Sequence, residues 1–313
     1  MAFSSAEAFA PATVANLGVG FDILGMALAG MGDRATVSWR DAPDIIISRI
    51  EGDNAQLPRD PKQNVAAVSA RAMLAHLGEN RGLRIELVKG LPLASGLGSS
   101  AASAVVTVIA LNKLLGDPFT REQLLPFCLE GEALVSGYHA DNVAPCLLGG
   151  IVLVAGITVA AMQPLPVPAD MHLALATPAL AVPTNQARAL LPDSVSLRHL
   201  IHQTGMVSRL IDALHRDDLQ ALGAAMEGDR VIEPARAGLM LLLDEMRALA
   251  KRNGAIALFI GGAGPTLCAL CDCAEVARRV ATAMQSAYQS ANFDCIAQAT
   301  RVDRAGAVVL RAQ

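Results

Sequence analysis

The amino-acid sequence predicts an α+β fold divided into two domains. The chain has 313 residues, which is enough for two domains of ordinary size. Segments with strand patterns and segments with helix patterns are mixed in both halves of the chain. The stretch QPLPVPAD, residues 163–170, places three prolines between two apolar strand-like segments. We therefore expect one domain over residues 1–163 and a second over residues 164–313.

The composition excludes several classes of protein. Hydrophobic residues make up 53% and charged residues 17% of the chain, so a large core is expected and disorder is not. The net charge of −4 argues against nucleic-acid binding, which needs a basic face. The beginning of the chain lacks the pattern of a signal peptide, and glycines and prolines interrupt the uncharged span 142–169. We expect a cytoplasmic protein that binds neither nucleic acid nor membrane.

Six cysteines raise the question of a metal site or disulfides. Cys268, Cys271 and Cys273 have C-x-x-C-x-C spacing, but zinc needs a fourth ligand and no nearby histidine or cysteine pair supplies one. The surrounding segment TLCALCDC has the pattern of a buried strand. Free thiols in a reducing compartment are the simpler expectation.

The elements of the first half follow from periodicity and from capping residues. Strands are expected at RATVSW, DIIISRIEG and LRIELVKG. Helices are expected at NVAAVSARAMLAHLG and AASAVVTVIALNKLLG, each ending at a glycine, and from a capping box at Thr120 and Gln123 through REQLLPFCLEGEALVSG. The span IVLVAGI is expected to be a buried strand.

The second half has the same mixture of elements. Strands are expected at MHLALATPA, DCIAQATRV and GAVVLRA, with a strand, a glycine turn and a second strand within AIALFIGGAGPTLCALCD. Helices are expected at LRHLIHQTGMVSRLIDALH, LQALGAAME, ARAGLMLLLDEMRALAKRNG and near residues 274–291.

The segment PLASGLGSSAAS, residues 92–103, is the first candidate for chemistry. Its glycines and small residues would let backbone N–H groups surround a phosphate at the beginning of the following helix. GLGSSA also matches the dinucleotide fingerprint G-x-G-x-x-A, with Asp117 about 20 residues further on. The pattern of the P-loop, which ends in Gly-Lys-Ser/Thr, is absent. Close helix packing would need the same small residues, so the segment alone leaves these interpretations open.

Three further segments carry polar residues in apolar or glycine-rich surroundings. Residues 11–33 contain Asn16 and Asp22, and a partly shielded Asp22 needs a partner or serves as a turn cap. Residues 259–270, FIGGAGPTLCAL, form either a hairpin turn or a second backbone surface against a ligand. The segment EGEALVSGYHADNVAP brings together five residues of catalytic type: Glu130, Glu132, His139, Asp141 and Asn142.

Together these segments resemble the three motifs of the GHMP kinases, which include galactokinase, homoserine kinase and mevalonate kinase. The motifs are PATVANLGVGFDILGMAL, PLASGLGSSAAS and GGAGPT, and they follow one another in the family's order. ANLGVGFDILGMAL and HADNVAPCLLGG resemble the homoserine kinase branch, with Val19 in place of a common proline. The resemblance extends over essentially the whole chain. It implies an N-terminal domain with a left-handed β-α-β unit and a C-terminal ferredoxin-like α/β sandwich.

The resemblance implies ATP and Mg²⁺ as cofactors. Ser99 and Ser100 would lie at the phosphates and the metal, and Glu132 would hold Mg²⁺ with Glu130 as the alternative. Asn64 resembles a position near the adenine. The residues that would surround the phosphates are Pro92, Leu93, Ala94, Ser95, Gly96, Leu97, Gly98, Ser99, Ser100, Ala101 and Ala102.

The resemblance also implies a binding site for L-homoserine, whose phosphorylation is an early step towards threonine. Asn16 and Asp22 would hold the hydroxyl and ammonium groups, and His139 and Asn142 would border the pocket. Asp22 and Asn142 are the candidate catalytic residues. Arg188 and Arg236 match two arginines that bind the substrate carboxylate, a task for which the planar guanidinium is suited. The family also leads us to expect a possible homodimer.

Some functional questions remain open at this point. Asp22 is either a general base or a residue that orients the substrate, because phosphoryl transfer through a loose transition state needs little early deprotonation. A GHMP kinase acting on another hydroxy acid, a regulatory protein without catalysis and a dinucleotide oxidoreductase are the rival functions. The intact glycine motifs together with Glu132 and Asp22 favour a kinase.

Overall fold

Two β-sheets with helices around them form the protein. The computed structural model describes residues 3–313. The strands are β1 (Ser5–Ala15), β2 (Leu24–Arg40), β3 (Ile45–Glu51), β4 (Gly82–Val88), β5 (Ile151–Val154), β6 (Met162–Leu165), β7 (His172–Pro178), β8 (Ala257–Ile260), β9 (Leu267–Cys271), β10 (Cys295–Arg301) and β11 (Val308–Ala312). The helices are α1 (Val65–Leu77), α2 (Ser99–Leu114), α3 (Leu125–Glu132), α4 (Val143–Leu148), α5 (Thr184–Ala189), α6 (Leu197–Arg216), α7 (Leu219–Met226), α8 (Ile232–Arg236), α9 (Leu243–Arg252) and α10 (Ala274–Ser290).

The first sheet has seven strands and is organised around β2. Its main order is β11-β1-β2-β4-β3, and β5 and β6 continue from the beginning of β2. Residues 34–40 of β2 pair with β4, whereas residues 24–26 pair with β5. All pairs are antiparallel except β3 with β4, which α1 connects in a β-α-β unit. The first domain therefore contains a parallel β-α-β unit.

Helix α2 lies in the centre of the first domain. It packs on β1 and β2 and against α1 and α3. Ala, Val, Leu and Ile make up most of its residues, and nearly all of them are buried, so the helix is apolar on every side as expected for a central helix. This placement fixes the N-terminal end of α2 relative to the sheet.

The second sheet has the ferredoxin-like arrangement that the family resemblance implied. Its order is β10-β7-β9-β8, with every pair antiparallel. One face, which includes Leu258 and Ala269, packs with α9 and α10 in a separate core. The other face, which includes Phe259 and Leu270, belongs to the core of the first domain. Because successive strand residues point to opposite faces, one sheet contributes to two cores.

The division of the chain into domains is less simple than the sequence suggested. The boundary between residues 163 and 164 falls within β6, which pairs with β5 of the first sheet. The C-terminal strand β11 pairs with β1, so the end of the chain also belongs to the first sheet. Sequence-local patterns contain no signal for this return of the chain.

One predicted helix is divided in the structure. The segment from residue 235 to residue 254 was expected to form a single helix, but α8 ends at Arg236 and α9 begins at Leu243. Between them Met240 is extended and Leu242 has a φ of 54°, which ends the helical hydrogen bonding. Leu239 and Leu241 pack against the second core, so tertiary packing outweighs helix propensity here. No helix within residues 3–313 combines the length and apolar character required to cross a membrane.

Replacement by alanine should change the free energy of unfolding in opposite directions at two helical glycines, Gly131 and Gly205. A Cβ at Gly131 of α3 would lie 2.0 Å from Ser69 Oγ and 2.6 Å from the carbonyl oxygen of Val65 in α1. A Cβ at Gly205 of α6 would meet nothing within 4 Å. We expect Gly131→Ala to lower the free energy of unfolding by about 2 kcal/mol or more, and Gly205→Ala to raise it by roughly 0.5–1 kcal/mol.

Denaturant unfolding of the two variants and the wild type measures both effects. A stabilising Gly131→Ala would show that α1 and α3 do not approach as closely as described.

Candidate active site

A cavity of about 500 Å³ lies where the two sheets meet. This volume is in the usual range for small-molecule sites. Residues from both halves of the chain line it, and the predicted site residues among them are Asn16, Asp22, Asn64, Leu93, Ala94, Ser95, Gly96, Gly98, Ser99, Ser100, Glu132, His139, Asn142, Arg188 and Arg236. The structure therefore brings together residues that are up to about 220 positions apart.

Four of the predicted residues do not line the cavity. Pro92 is exposed, and its carbonyl oxygen accepts a hydrogen bond of 2.8 Å from Ser95 Oγ within the loop. Leu97, Ala101 and Ala102 are buried in the core of the first domain. They pack in the core, on the side of the loop and of the first turn of α2 that faces away from the cavity.

The segment before α2 forms an open N-terminal helix end. Gly96 and Gly98 have positive φ angles of 80° and 66°, which glycine adopts without strain. No side chain caps the helix, so the N–H groups of its first turn are available to a ligand, and Ser99 and Ser100 line the cavity beside them. This end of α2 is suited to bind an anion, and phosphate in particular.

The third glycine segment contacts the second one directly. A Cβ at Gly96 would lie 2.2 Å from the carbonyl oxygen of Gly261. The hydroxyl and backbone N–H of Thr266 both donate to the carbonyl oxygen of Ser95, at 2.7 and 3.2 Å. Residues 261–266 therefore support the loop rather than form only a hairpin turn.

A buried ion pair lies beneath the first turn of α2, and sequence reasoning missed it. Lys89 and Asp33 form this pair and are almost inaccessible to solvent. Lys89 Nζ also donates to the carbonyl oxygen of Ser99 and to Ser103 Oγ, both at 2.8 Å. Burial lowers the pKa of Lys89, although the charge of Asp33 opposes this effect. The network fixes the backbone at Ser99 against β2.

Glu132 is a buried carboxylate close to the N-terminal end of α2. We call this end of the cavity, which Ser99, Ser100 and Glu132 line, the phosphate end. Its Oε1 accepts hydrogen bonds from Ser100 Oγ at 3.0 Å and Ser136 Oγ at 2.5 Å. Burial raises its pKa to about 7, because desolvation disfavours the charged form more than these bonds favour it. Glu130 is exposed and accepts hydrogen bonds from Tyr138, so it does not face the cavity.

Two polar atoms at this end have no partner within the protein. Glu132 Oε2 and Ser99 Oγ are both buried and without a hydrogen bond to any group of residues 3–313. A carboxylate and a hydroxyl are oxygen ligands of the kind that Mg²⁺ takes, with phosphate oxygens and water completing its shell. The residues present therefore fit a magnesium ion.

Asn64 shapes the wall of the cavity beyond the phosphate loop. Its Oδ1 accepts a hydrogen bond of 3.0 Å from the N–H of Ala66 and caps α1, and its Nδ2 donates to the carbonyl oxygen of Pro58 at 2.8 Å. Leu57, Pro58 and Val65 line the same region. The wall here is mainly apolar, as an aromatic base requires, and Asn64 positions it.

Asp22 and Arg188 form an ion pair at the opposite end of the cavity. Two hydrogen bonds of 2.9 and 3.0 Å join the guanidinium to the carboxylate. His139 Nδ1 lies 3.6 Å from Asp22 Oδ2, and burial lowers the pKa of His139 while the charge of Asp22 opposes this. The sequence predicted each of these residues but not that Asp22 and Arg188 pair with each other.

Arg236 is buried without a carboxylate partner. It is only 3% exposed, and it forms no ion pair with any residue of the described part of the chain. Its Nη1 donates to the carbonyl oxygen of Gly262 at 3.0 Å, and the same oxygen accepts a bond of 2.9 Å from Asn16 Nδ2. Burial and the nearby charge of Arg188 lower its pKa. A buried cation of this kind is suited to bind an anionic ligand.

The segment before α4 contributes Asp141 and Asn142 to the cavity, in addition to His139. Asn142 Oδ1 accepts a hydrogen bond of 2.7 Å from Thr13 Oγ1, which places its side chain beside Gly98. Asp141 also lines the cavity, is buried, and has a pKa raised to about 7 by that burial. The sequence placed Asp141 in this neighbourhood, but gave no reason to choose it over its neighbours.

Comparison with known proteins agrees with this geometry. Residues 64–150 match the model of the GHMP kinases N terminal domain, and residues 210–290 match that of the GHMP kinases C terminal domain. The chain is 39% identical to a homoserine kinase of Chloroherpeton thalassium, over 90% of this chain and 91% of that protein. It is also 39% identical to a homoserine kinase of Arabidopsis thaliana, over 97% of this chain and 84% of that protein.

A solved structure supports the same relationship. The crystal structure of a homoserine kinase from Cytophaga hutchinsonii superposes with a TM-score of 0.94 at 39% identity and covers 98% of both chains. The two-domain fold that the sequence predicted is thereby confirmed. The chain belongs to the GHMP kinase family, in the branch that contains the homoserine kinases.

Proposed function

We propose that this protein is a homoserine kinase, which transfers the γ-phosphoryl group of ATP to the hydroxyl of L-homoserine. The observation that carries the proposal is the pairing of two features in one cavity. One end presents the uncapped N-terminal end of α2, and the other presents the buried, unpaired guanidinium of Arg236. The first is suited to phosphates and the second to a carboxylate.

The nucleotide would occupy the cavity between α1 and α2. The apolar wall near Val65 would receive the adenine, and the N–H groups after Gly98 would receive the phosphates. Glu132 and Ser99 would hold Mg²⁺ through their two unpartnered oxygen atoms. Bound there, the ion would neutralise charge on the phosphates.

The amino acid would lie between the two sheets. Arg236 would bind its carboxylate, and Arg188 would assist while it remains paired with Asp22. Asn16 is fixed by its bond to Gly262 and by accepting the N–H of Asp22 at 3.1 Å. This arrangement would place the substrate hydroxyl near Asp22 and Asn142, facing the phosphate end.

The reaction needs positioning more than a strong base. The hydroxyl oxygen would form a bond to the γ-phosphorus while the bond from that phosphorus to the leaving oxygen of ADP breaks. Asp22 would accept the hydroxyl hydrogen bond and orient the nucleophile, and the proton would pass to the transferred phosphate. The two bonds from Arg188 support this orienting role, because they hold the carboxylate in one position. A homodimer and a cytoplasmic location remain predictions.

A coupled assay of ADP release with MgATP tests the proposed function. L-Homoserine is compared with mevalonate, shikimate and L-threonine, and mass spectrometry identifies the phosphorylated product. We expect selective turnover of L-homoserine to O-phospho-L-homoserine. Turnover of another alcohol instead would leave the assignment of the phosphate-binding end unchanged. It would contradict the substrate-binding roles given to Arg188, Arg236 and His139.

Arg236→Met is expected to raise the KM for L-homoserine about 100-fold, since charge-assisted hydrogen bonds to the carboxylate are lost. The KM for ATP should change less than about threefold, because the phosphate end is untouched. Arg230→Met is the matched control, since Arg230 is exposed and lies outside the cavity. Equal loss of affinity for both substrates would contradict a specific carboxylate contact.

Glu132→Gln is expected to lower the activity and, at high pH, to raise the stability of the protein without ligands. The pKa of Glu132 is raised in the folded protein, so its contribution to stability is complete below pH 4.5 and is lost as the pH rises through about 7. Without ligands, the variant should therefore be more stable than the wild type at pH 8, by roughly 3 kcal/mol at most, and almost equal to it at pH 4. Its activity with MgATP should fall at least about 100-fold.

Thermal unfolding at the two pH values and Mg²⁺ titration of the rate measure these effects. Glu130→Gln, which changes an exposed carboxylate on the same helix, is the control. An unchanged dependence of the rate on Mg²⁺ concentration would remove Glu132 from the metal site.

A further inference from the structure

A buried lysine lies beside the phosphate end and has no part in the mechanism above. Lys89 follows β4 directly and pairs with Asp33 of β2, and the two side chains are 1% and 0% exposed. Lys89 also lines the cavity. A buried ion pair often contributes no more to stability than apolar residues of similar volume would, because both charges are removed from water. Stability alone therefore does not explain this pair.

The ammonium group of Lys89 has no N–H left for a ligand. It donates one hydrogen bond to Asp33 Oδ2, and it donates two of 2.8 Å to the carbonyl oxygen of Ser99 and to Ser103 Oγ. An ammonium has three N–H groups, so these bonds use all of them. Lys89 therefore acts on a bound ligand through the groups that it holds.

Asp33 keeps this ammonium in place. Its Oδ1 accepts a hydrogen bond of 3.1 Å from the backbone N–H of Gly90, and its Oδ2 accepts one of 3.1 Å from Ser103 Oγ in addition to that of Lys89. Burial lowers the pKa of Lys89, but the charge of Asp33 and the hydrogen bond to it act in the opposite direction. Asp33 thus favours the charged form of Lys89 and orients it towards α2.

The bond to the carbonyl oxygen of Ser99 reaches the cavity through one peptide group. This carbonyl and the N–H of Ser100 belong to the same peptide, in the first turn of α2. The N–H groups of a first helical turn have no partner within the helix, and no side chain caps this helix. A cation at the carbonyl makes the N–H of the same peptide a stronger donor, since linked hydrogen bonds polarise one another.

We propose that Lys89 is a positioning residue that raises the affinity of the site for nucleotide phosphates. It does so through the peptide between Ser99 and Ser100, which it fixes and polarises, while Asp33 holds its ammonium against that peptide. The inference rests on the proposed function, because it takes ATP as the ligand of the phosphate end. It assigns Lys89 no contact with the nucleotide and no part in proton transfer.

The test compares ligands that share the adenosine group and differ in phosphate. Dissociation constants are measured for ADP with Mg²⁺, for ADP without Mg²⁺, and for adenosine, the last by competition with a fluorescent ADP analogue. The KM for L-homoserine is measured at saturating MgATP. Thermal unfolding shows whether each variant is folded.

Two variants and one matched control are used. Lys89→Met removes the ammonium and leaves Asp33 buried without its cation, so this variant risks misfolding. The double variant Lys89→Met/Asp33→Asn removes both charges and leaves neither unpaired. Lys113→Met is the control, because Lys113 lies in the last turn of the same helix and pairs with Asp117 at 2.7 Å on the surface.

We expect the dissociation constant of ADP to rise roughly 10-fold in both Lys89 variants, because the N–H of Ser100 loses its polarisation and its fixed position. The increase should be the same with and without Mg²⁺. The dissociation constant of adenosine and the KM for L-homoserine should change less than about twofold, since neither depends on this peptide. Lys113→Met should resemble the wild type in every constant.

Four results would overturn the inference. An unchanged affinity for ADP would remove Lys89 from phosphate binding, and equal losses for ADP and adenosine would make it a general support of the cavity. A loss seen only with Mg²⁺ would place its effect at the metal. Failure of both variants to fold would give the pair a purely structural role. Failure of the proposed function would be seen separately, as an absence of ADP binding or of L-homoserine turnover in the wild type.

Discussion

The contact between two glycine segments determines where every other part of the site lies. Gly96 approaches the backbone of Gly261 so closely that a Cβ would come within 2.2 Å of its carbonyl oxygen. The first segment leads into α2 on the first sheet, and the second follows β8 on the second sheet. Because Gly262 also accepts hydrogen bonds from Asn16 and Arg236, the same short turn supports the loop before α2 and fixes these two side chains.

The electrostatics of the site follow from this close packing of the two sheets. Glu132, Asp141 and Arg236 are all buried with incomplete partners, and burial shifts the pKa of each towards its neutral form. Such groups lower the stability of the unliganded protein, and a ligand of matching charge recovers that free energy on binding. Lys89 and Asp33 are different, because each neutralises the other and their bonds hold the backbone of α2. The protein thus contains one buried charge pair with a structural role and, separately, buried charged groups at the cavity that lack such a partner.

The sequence predicted the features that depend on local geometry. The loop at Gly96 and Gly98 could be predicted because the backbone before this open helix end has positive φ angles, which glycine adopts without strain. The strands of the second sheet were also predictable, since β7, β8 and β9 are short apolar runs and a glycine turn separates β8 from β9, whereas their ferredoxin-like order was implied only by the family resemblance. Lys89 and Asp33 were not, because they are 56 positions apart and neither belongs to a recognisable motif. Asp141 lies in a segment that the sequence analysis selected, but only its deeper burial distinguishes it from His139 and Asn142, and burial is a property of the folded chain.

The position of Arg236 is fixed by interactions that extend beyond the cavity. Asp229 accepts hydrogen bonds from the N–H groups of residues 231–233, including one of 2.7 Å from Glu233, and so holds the beginning of α8. Arg247 of α9 pairs with Glu233 and also bonds the carbonyl oxygen of Leu258 in β8. Arg236, at the end of α8, is therefore anchored to the second sheet, whereas α2 is anchored to the first. The distance between Arg236 and the N-terminal end of α2 is therefore set by how the two sheets pack against each other.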